Sequence, residues 1–292
     1  MSKKSNKKNQ LFSEAFPPNK KGYRDIIYPS SSSHALLEGI KINPDEIVYK
    51  PLSIENLDEI KNLHKEWFPI DYSDKFFQNI FDKNNNWYFT IGAFYNIFDK
   101  EKNEKKEIIL GLALCEWIPI SNYFVNHTNK EVIKEICKNI TYKEEIKSYL
   151  YCDNFKCAYI MTIGVLDEYR KNNIGTNILN QIISIGLKDS LCIGVMLDVI
   201  NYNYSAIKFY KKNSFKKVST IKNYYNLKGI KYDSNVFLKI FTQKEKDDFH
   251  QKNRNLLLKI IYLVIIDPLS ILIKVILFIV LFQCFRNKIK IE

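Results

Sequence analysis

Histidine is scarce in this chain, and no two cysteines form a C-x-x-C pair. The four histidines keep no ligand spacing to the six cysteines (Cys115, Cys137, Cys152, Cys157, Cys192 and Cys284), which argues against a structural zinc site and leaves no metal expected. Cys115, Cys157 and Cys192 fall in apolar, strand-like runs and read as small buried hydrophobes of a reducing compartment. No apolar run with a cleavage site lies near Met1, so a secretory signal peptide is not expected. Acidic residues are the minority, 32 against 44 Lys and Arg, for a net charge of +12. The lysines are scattered among Asn and Glu without a dense tract, so nucleic acid is not the expected partner. The positive excess is available to an anionic membrane surface.

At 292 residues the chain reads as one folded unit with extensions at both ends. Residues 1–44 are rich in Lys, Asn and Ser with only short apolar clusters, and are expected to be disordered. Residues 45–242 carry the alternations and helical spacings of a domain. Within it, 45–52 alternate as a first strand, and Ser53 caps a helix whose face is Ile54, Leu57, Ile60, Leu63, His64 and Trp67. Pro69 stops that helix. Ser73 and Asp74 cap a second, short one through Phe76, Phe77 and Ile80.

Residues 87–95 and 108–118 read as strands of a hairpin around the charged DKEKNEKKE turn. The lysine-rich segment 119–155 is an insertion over the surface. Residues 192–200 are another strand, and 203–213 a short helix ending at an Asn able to take left-handed geometry. Residues 214–225 and 235–242 are the last strands, turning at Lys228 and Gly229. The order βααββ, βα, βα, ββ mixes parallel and antiparallel pairing in one α/β sheet with helices on both faces.

A charged linker, 243–254, leads to an apolar tail at 255–286 that barely shows a polar stripe. Asp267 and Pro268 interrupt it. Two in-plane or reentrant helices, or one span over 269–285, are both open, and either attaches the chain to a membrane.

The stretch 157–184 organises the domain. It reads as a buried strand to Val165, a charged turn, and a helix with apolar positions recurring from Ile178 to Ile185. Arg170 and Lys171 sit in the turn, and the helix start at Gly175 and Thr176 exposes unpaired N–H groups. This arrangement suits the phosphate of a cofactor.

Arg170, Asn173 and Gly175 stand at the three key positions of the Q/R-x-x-G-x-G/A pattern, so the chain resembles the GNAT acetyltransferases. WFPIDY at 67–72, AYIMTIGVLDEYRKNNIG at 158–175, N-x-x-A-I-x-F-Y at 203–210 and YY-x-L-x-G at 224–229 are similar to one branch of it. That branch is the membrane-associated N-alpha-acetyltransferases of the NatF type, found on the Golgi and facing the cytosol. The resemblance implies a GNAT acyl-CoA N-acyltransferase fold with apolar C-terminal membrane-associated helices. It implies acetyl-CoA as co-substrate and cytosol-facing protein N-termini as acceptors, with Met followed by a hydrophobic residue foremost.

On the same basis, Met161, Thr162 and Ile163 would pair with the pantetheine, and Tyr169, Arg170, Lys171, Asn172, Asn173, Ile174, Gly175 and Thr176 would cradle the pyrophosphate. Asn203 and Tyr210 would flank the thioester. Phe68, Pro69, Ile70, Tyr72, Met161, Asn201, Tyr224 and Tyr225 would line the acceptor site. Adjacent tyrosines of one strand cannot both face a core, so Tyr224 and Tyr225 are not both packing residues. Tyr159 matches the family's catalytic Tyr. The family's catalytic His position falls at Asp198, which serves as a base if burial raises its pKa, holds a water, attracts the ammonium, or only pairs with a neighbour. Glu116 is the reserve carboxylate. Lysine side-chain acetylation, as of histones, and a membrane-bound scaffold that binds acetyl-CoA with little turnover are the competing readings.

Overall fold

The computed structural model describes residues 41–68, 71–99, 103–119, 155–227 and 229–261. Most of the N-terminal extension, Pro69 and Ile70, the insertion at 120–154 and the tail from 262 onward lie outside the described residues. Two compact units divide the chain, Met1–Phe241 and Thr242–Glu292.

The first unit is built on a seven-stranded sheet in the order β1-β2-β3-β4-β5-β7-β6. Its strands are β1 (Val48–Lys50), β2 (Tyr88–Asp99), β3 (Glu104–Pro119), β4 (Lys156–Val165), β5 (Cys192–Ile200), β6 (Lys216–Leu227) and β7 (Ile230–Ile240). Among the described strands, only β4 and β5 pair in parallel. Their connection is the helix α3 (Ile174–Lys188), as a parallel pair requires. Helices α1 (Leu57–Trp67) and α2 (Asp74–Phe81) precede β2, and α4 (Tyr204–Lys212) joins β5 to β6. This is a mixed α/β architecture, as the sequence implied.

Alternation along β4 assigns the helices to faces. Val165 pairs with Gly111, where an added Cβ would meet Ile178 of α3 at 3.1 Å. At Gly164, one residue back, a Cβ would instead strike the Trp67 ring of α1. Successive residues point to opposite faces, so α1 and α3 cover opposite sides of the sheet. The core strand β3 is consequently buried without a break from Ile108 to Cys115. On α1, Ile60 and Leu63 are fully buried, each contributing about 1.5–3 kcal/mol through apolar burial. Cys115, Cys157 and Cys192 are buried free thiols.

Several boundaries differ from the expectation. The first strand is only three residues long, because Pro44 opens a 3-10 turn and the Leu52 N–H goes to the Thr90 hydroxyl at 2.9 Å instead of a ladder. Ser53 does cap the next segment, accepting from Glu55 N–H at 3.2 Å, but the first turn (Ile54–Asn56) is 3-10 before α1 begins. Strands β2 and β3 run on into the charged turn as far as the Asp99 and Glu104 pair, since ladder bonds do not depend on side-chain polarity. Asn213 is not left-handed; its φ is −93°. The side-chain amide of Asn213 donates to Phe209 O at 2.8 Å, and Ser214 takes the positive φ of 67°.

In the second unit the residues expected as a charged linker are helical, within α5 (Gln243–Ile261). Thr242 holds the start of this helix, its N–H and hydroxyl both donating to the Glu245 carboxylate. Among the described residues no helix is long and apolar enough to cross a membrane.

Candidate active site

The site begins where the parallel pair comes apart. Strands β4 and β5 pair from Lys156 and Cys192 and, after a one-residue shift, stay in register from Cys157 and Gly194 to Ile160 and Leu197. Beyond that point β4 stays with β3, while β5 stays with β7 through Asp198, Val199 and Ile200. Met161 is the extra residue of a bulge, since Leu114 pairs with Thr162 and Cys115 with Ile160. Between residues 161–164 and 198–200 lies a cavity of about 620 Å³. Backbone polar groups need partners, so an open strand edge of this kind fits an extended, amide-bearing ligand arm.

The turn after β4 supplies the other half of a phosphate-bearing ligand's site. Lys171 and Asn173 have φ values of 68° and 60°. Asn is the non-glycine residue that adopts this geometry most readily, so the departure from glycine at Asn173 leaves the turn intact. The carbonyl of Asn173 accepts from Asn177 N–H at 2.9 Å, starting α3 and leaving the first-turn N–H groups of Ile174, Gly175 and Thr176 without intrahelical partners. Left-handed residues feeding a helix start form a concave set of donors suited to an anion. Arg170 reaches back to the end of β4, its Nε donating to Val165 O at 3.2 Å.

At the opposite end, Asp198 is the centre of a hydroxyl network. Tyr159 donates to its Oδ2 at 2.8 Å and Ser234 to its Oδ1 at 3.0 Å. Tyr224 is hydrogen-bonded to Tyr159, and Tyr225 to Ser234. Burial raises the pKa of both Tyr224 and Tyr225, and the Asp198 charge adds to it, while the bonds to Tyr159 and Ser234 act in the opposite sense. Both phenols therefore remain protonated and serve as donors or walls, not as bases.

Tyr224 and Tyr225 both line the cavity, although strand alternation would send them to opposite faces. The ladder shifts between Ile221 and Tyr225, and Asn223 inside the shift has a φ of 55° with its N–H on Asp233 Oδ1. Broken alternation brings the two rings together, centroids 4.9 Å apart at 89°.

Of the other expected residues, Phe68, Tyr72, Tyr159, Met161, Thr162, Ile163, Arg170, Asn203 and Tyr210 also line the cavity. Asn203 additionally caps α4, accepting from Ala206 N–H at 3.1 Å. Tyr169 and Ile174 are buried in the core, so the turn offers a ligand their backbone and not their side chains. Lys171, Asn172, Asn173, Gly175 and Thr176 form the turn and helix start but no part of the cavity wall. Asn201 is exposed, with its N–H on Asp233 O at 3.0 Å, and is not part of the wall. Nor is Glu116, although it pairs with Tyr159 across the β3–β4 ladder. Pro69 and Ile70 lie outside the described residues.

Sequence reasoning missed Ser234, Trp67, Gly164 and Tyr202 as site residues. Trp67, Gly164 and Tyr202 line the cavity, and burial beside Tyr232 pushes the Tyr202 phenol up to about 12. Trp67 stands inside the WFPIDY motif, which was the available signal. Nothing local to Ser234 marks it, because only the β5–β7 register places it opposite Ile200.

A mixed sheet splayed at its one parallel pair, with an anion-binding turn at one end and a hydrogen-bonded carboxylate at the other, defines an acyl-CoA-dependent N-acyltransferase. The chain belongs to the acetyltransferase (GNAT) family, whose model matches residues 57–215. Over 206 residues it is 25% identical to histone acetyltransferase MCC1 of Arabidopsis thaliana, spanning 68% of this chain and 72% of that protein. It is 26% identical to N-alpha-acetyltransferase 60 of Xenopus tropicalis over 196 residues, 66% of this chain and 69% of the relative. The crystal structure of Arabidopsis thaliana NAA60 in complex with acetyl-CoA is similar with a TM-score of 0.52 at 26% identity, covering 67% of this chain and 98% of that one.

Proposed function

We propose that this protein is an N-alpha-acetyltransferase that transfers acetyl from acetyl-CoA to protein N-termini. The observation that carries the reading is the Tyr159, Asp198 and Ser234 network at the end of the open β4 edge. The relatives named N-alpha-acetyltransferase 60 and NAA60, the latter solved with acetyl-CoA, support it. The residues present fit that co-substrate: the open edge at 161–163 takes the pantetheine amides, and the turn at 170–176 takes the pyrophosphate. When bound, acetyl-CoA supplies a thioester whose C–S bond breaks as the amine's C–N bond forms.

The chain's own residues handle the proton and the acceptor. An α-amine has a pKa of about 7.7–8.0, so part of it is already neutral near pH 7. Asp198, fixed by two hydroxyl donors, attracts the ammonium form and receives its proton directly or through a water. Tyr159, bonded to that carboxylate, lines the same cavity and orients the amine. Phe68 and Tyr72 on one side and Tyr224 and Tyr225 on the other form aromatic walls suited to a methionine side chain and the next residue. The reaction is a direct attack within a ternary complex.

A panel of peptides varied at their first two residues tests this. Met-Leu and similar N-termini are the expected acceptors, and acetyl incorporation at a free N-terminus but not at a blocked one is the expected outcome. Similarity to histone acetyltransferase MCC1 favours one second reading, lysine side-chain acetylation. Incorporation that survives N-terminal blocking supports it.

The NatF type is the finer assignment, supported by the motifs WFPIDY and AYIMTIGVLDEYRKNNIG. With it goes attachment through the apolar tail at 255–286 to a Golgi or other secretory-pathway membrane, the catalytic unit facing the cytosol. Vesicle flotation of the full chain against a chain ending before residue 255 checks the attachment. Flotation independent of the tail overturns it.

A further inference from the structure

His64 takes no part in the network around Asp198, yet it is 1% exposed and makes two side-chain hydrogen bonds. Its Nδ1 lies 2.8 Å from the carbonyl oxygen of Ile60. A carbonyl only accepts, so the ring proton sits on Nδ1 and Nε2 is left as an acceptor. Thr162 Oγ1 is 3.1 Å from Nε2 and therefore donates to it. One turn further along α1, the Trp67 ring closes on Gly164, where even a Cβ would fall 2.1 Å from a ring carbon. Helix α1 thus holds β4 at two alternate residues, Thr162 and Gly164, both in the half that has parted from β5 and lines the cavity.

That half strand has a reason to move. Two neighbouring strands with facing unpaired amides gain hydrogen bonds by closing on each other. Something must hold 161–164 on the far side of the gap, and the bond to Thr162 does so from the covered face. The same His64 ring lies 5.2 Å from the rings of both Phe68 and Tyr72, which also line the cavity.

We propose that His64 is a positioning residue: by accepting from Thr162 it pins the parted half of β4 at the separation acetyl-CoA requires, and ties that edge to the Phe68 and Tyr72 wall. This rests on the reading of the open edge as the acetyl-CoA site.

Calorimetry with acetyl-CoA on the full chain tests it without reference to any acceptor. His64→Leu removes the bond that pins Thr162, and about a tenfold rise in the acetyl-CoA dissociation constant is expected, the scale of one lost hydrogen bond. His64→Gln keeps an acceptor and should stay within about threefold of the parent. Joining Thr162→Val to His64→Leu breaks the same bond and should weaken binding no further than the larger of the two single changes. Thr162→Val alone, which keeps the side chain's shape, should weaken acetyl-CoA binding in the same direction, and it carries the test if His64→Leu does not fold. An unchanged dissociation constant in a folded His64→Leu or Thr162→Val protein overturns the proposal, even if the melting temperature drops. A double variant that regains the parent's dissociation constant also overturns it, because the loss would then come from an orphaned hydroxyl and not from the missing bond. Absence of acetyl-CoA binding by the parent protein would instead remove the acetyl-CoA reading itself.

Discussion

The two halves of the β4–β5 pair are built from the same two strands and do opposite things. In the closed half, Cys157, Ala158, Val195, Met196 and Leu197 are buried and the ladder is continuous. In the open half the polar Thr162 and Asp198 appear, the ladder stops, and a cavity takes its place. The difference is one of pairing and hardly one of composition, since Ile163, Val165, Val199 and Ile200 would suit a closed sheet equally well. Stability resides in the first half and chemistry in the second, so substitutions in each should fail in different ways.

The largest effect is expected in the closed half. A Cβ at Gly194 would lie 2.3 Å from Lys239 O and 3.1 Å from Ile240 Cα, both backbone atoms. Gly194→Val should cost more than about 4 kcal/mol and leave no cooperative unfolding transition by circular dichroism. A folded Gly194→Val protein would mean that the two halves are less distinct than the register implies.

Next in size, Asp198→Asn should lower turnover on a free N-terminus by about 10²–10⁴-fold while the melting temperature stays near that of the parent. Full turnover of Asp198→Asn over about pH 6–9, with Tyr159→Phe inactive, would remove Asp198 as a proton acceptor.

His64 sits on the boundary and gives a pH signature. Burial lowers its pKa from the usual 6.5 to about 4, with the Ile60 carbonyl pulling the other way. The unfolded chain takes up the proton first as pH falls, so the fold is at full strength above about pH 6.5. It should lose up to about 3 kcal/mol as pH falls through this window to about 4. Urea midpoints across that range measure the loss, and His64→Leu should flatten this part of the curve.

The smallest effect belongs to the left-handed turn. Asn173→Ala should cost about 1 kcal/mol, and Asn173→Gly should be nearly neutral, read from the same urea midpoints.

Much of this architecture was legible because its signals are local. Apolar runs located β4 and β5, the spacing from Ile178 located α3, and Ser53 and Ser73 marked real caps. Asn173 could be read as left-handed from its residue type. The point where β4 leaves β5 could not be read, because apolar residues continue on both sides of it. Ser234 depends on how β7 aligns with β5, and that register has no signature in either strand. His64 was legible as a member of a helical face, but its bond partner lies 98 residues away. Strand periodicity would send Tyr224 and Tyr225 to opposite faces, and it could not foresee the ladder shift that brings both into one cavity.

A strand sorts its residues by odd and even number, and the extra residue at Met161 resets the count. Tyr159 and Thr162 are three apart and would point to opposite faces of a regular strand. With the bulge between them, Tyr159 opposite Glu116 and Thr162 opposite Leu114 fall on the same side, the side covered by α1. A single residue of chain length therefore decides that the phenol bound to Asp198 and the hydroxyl bound to His64 share one compartment. Removing Met161 alone would restore an unbroken pleat and send them to different sides of the sheet.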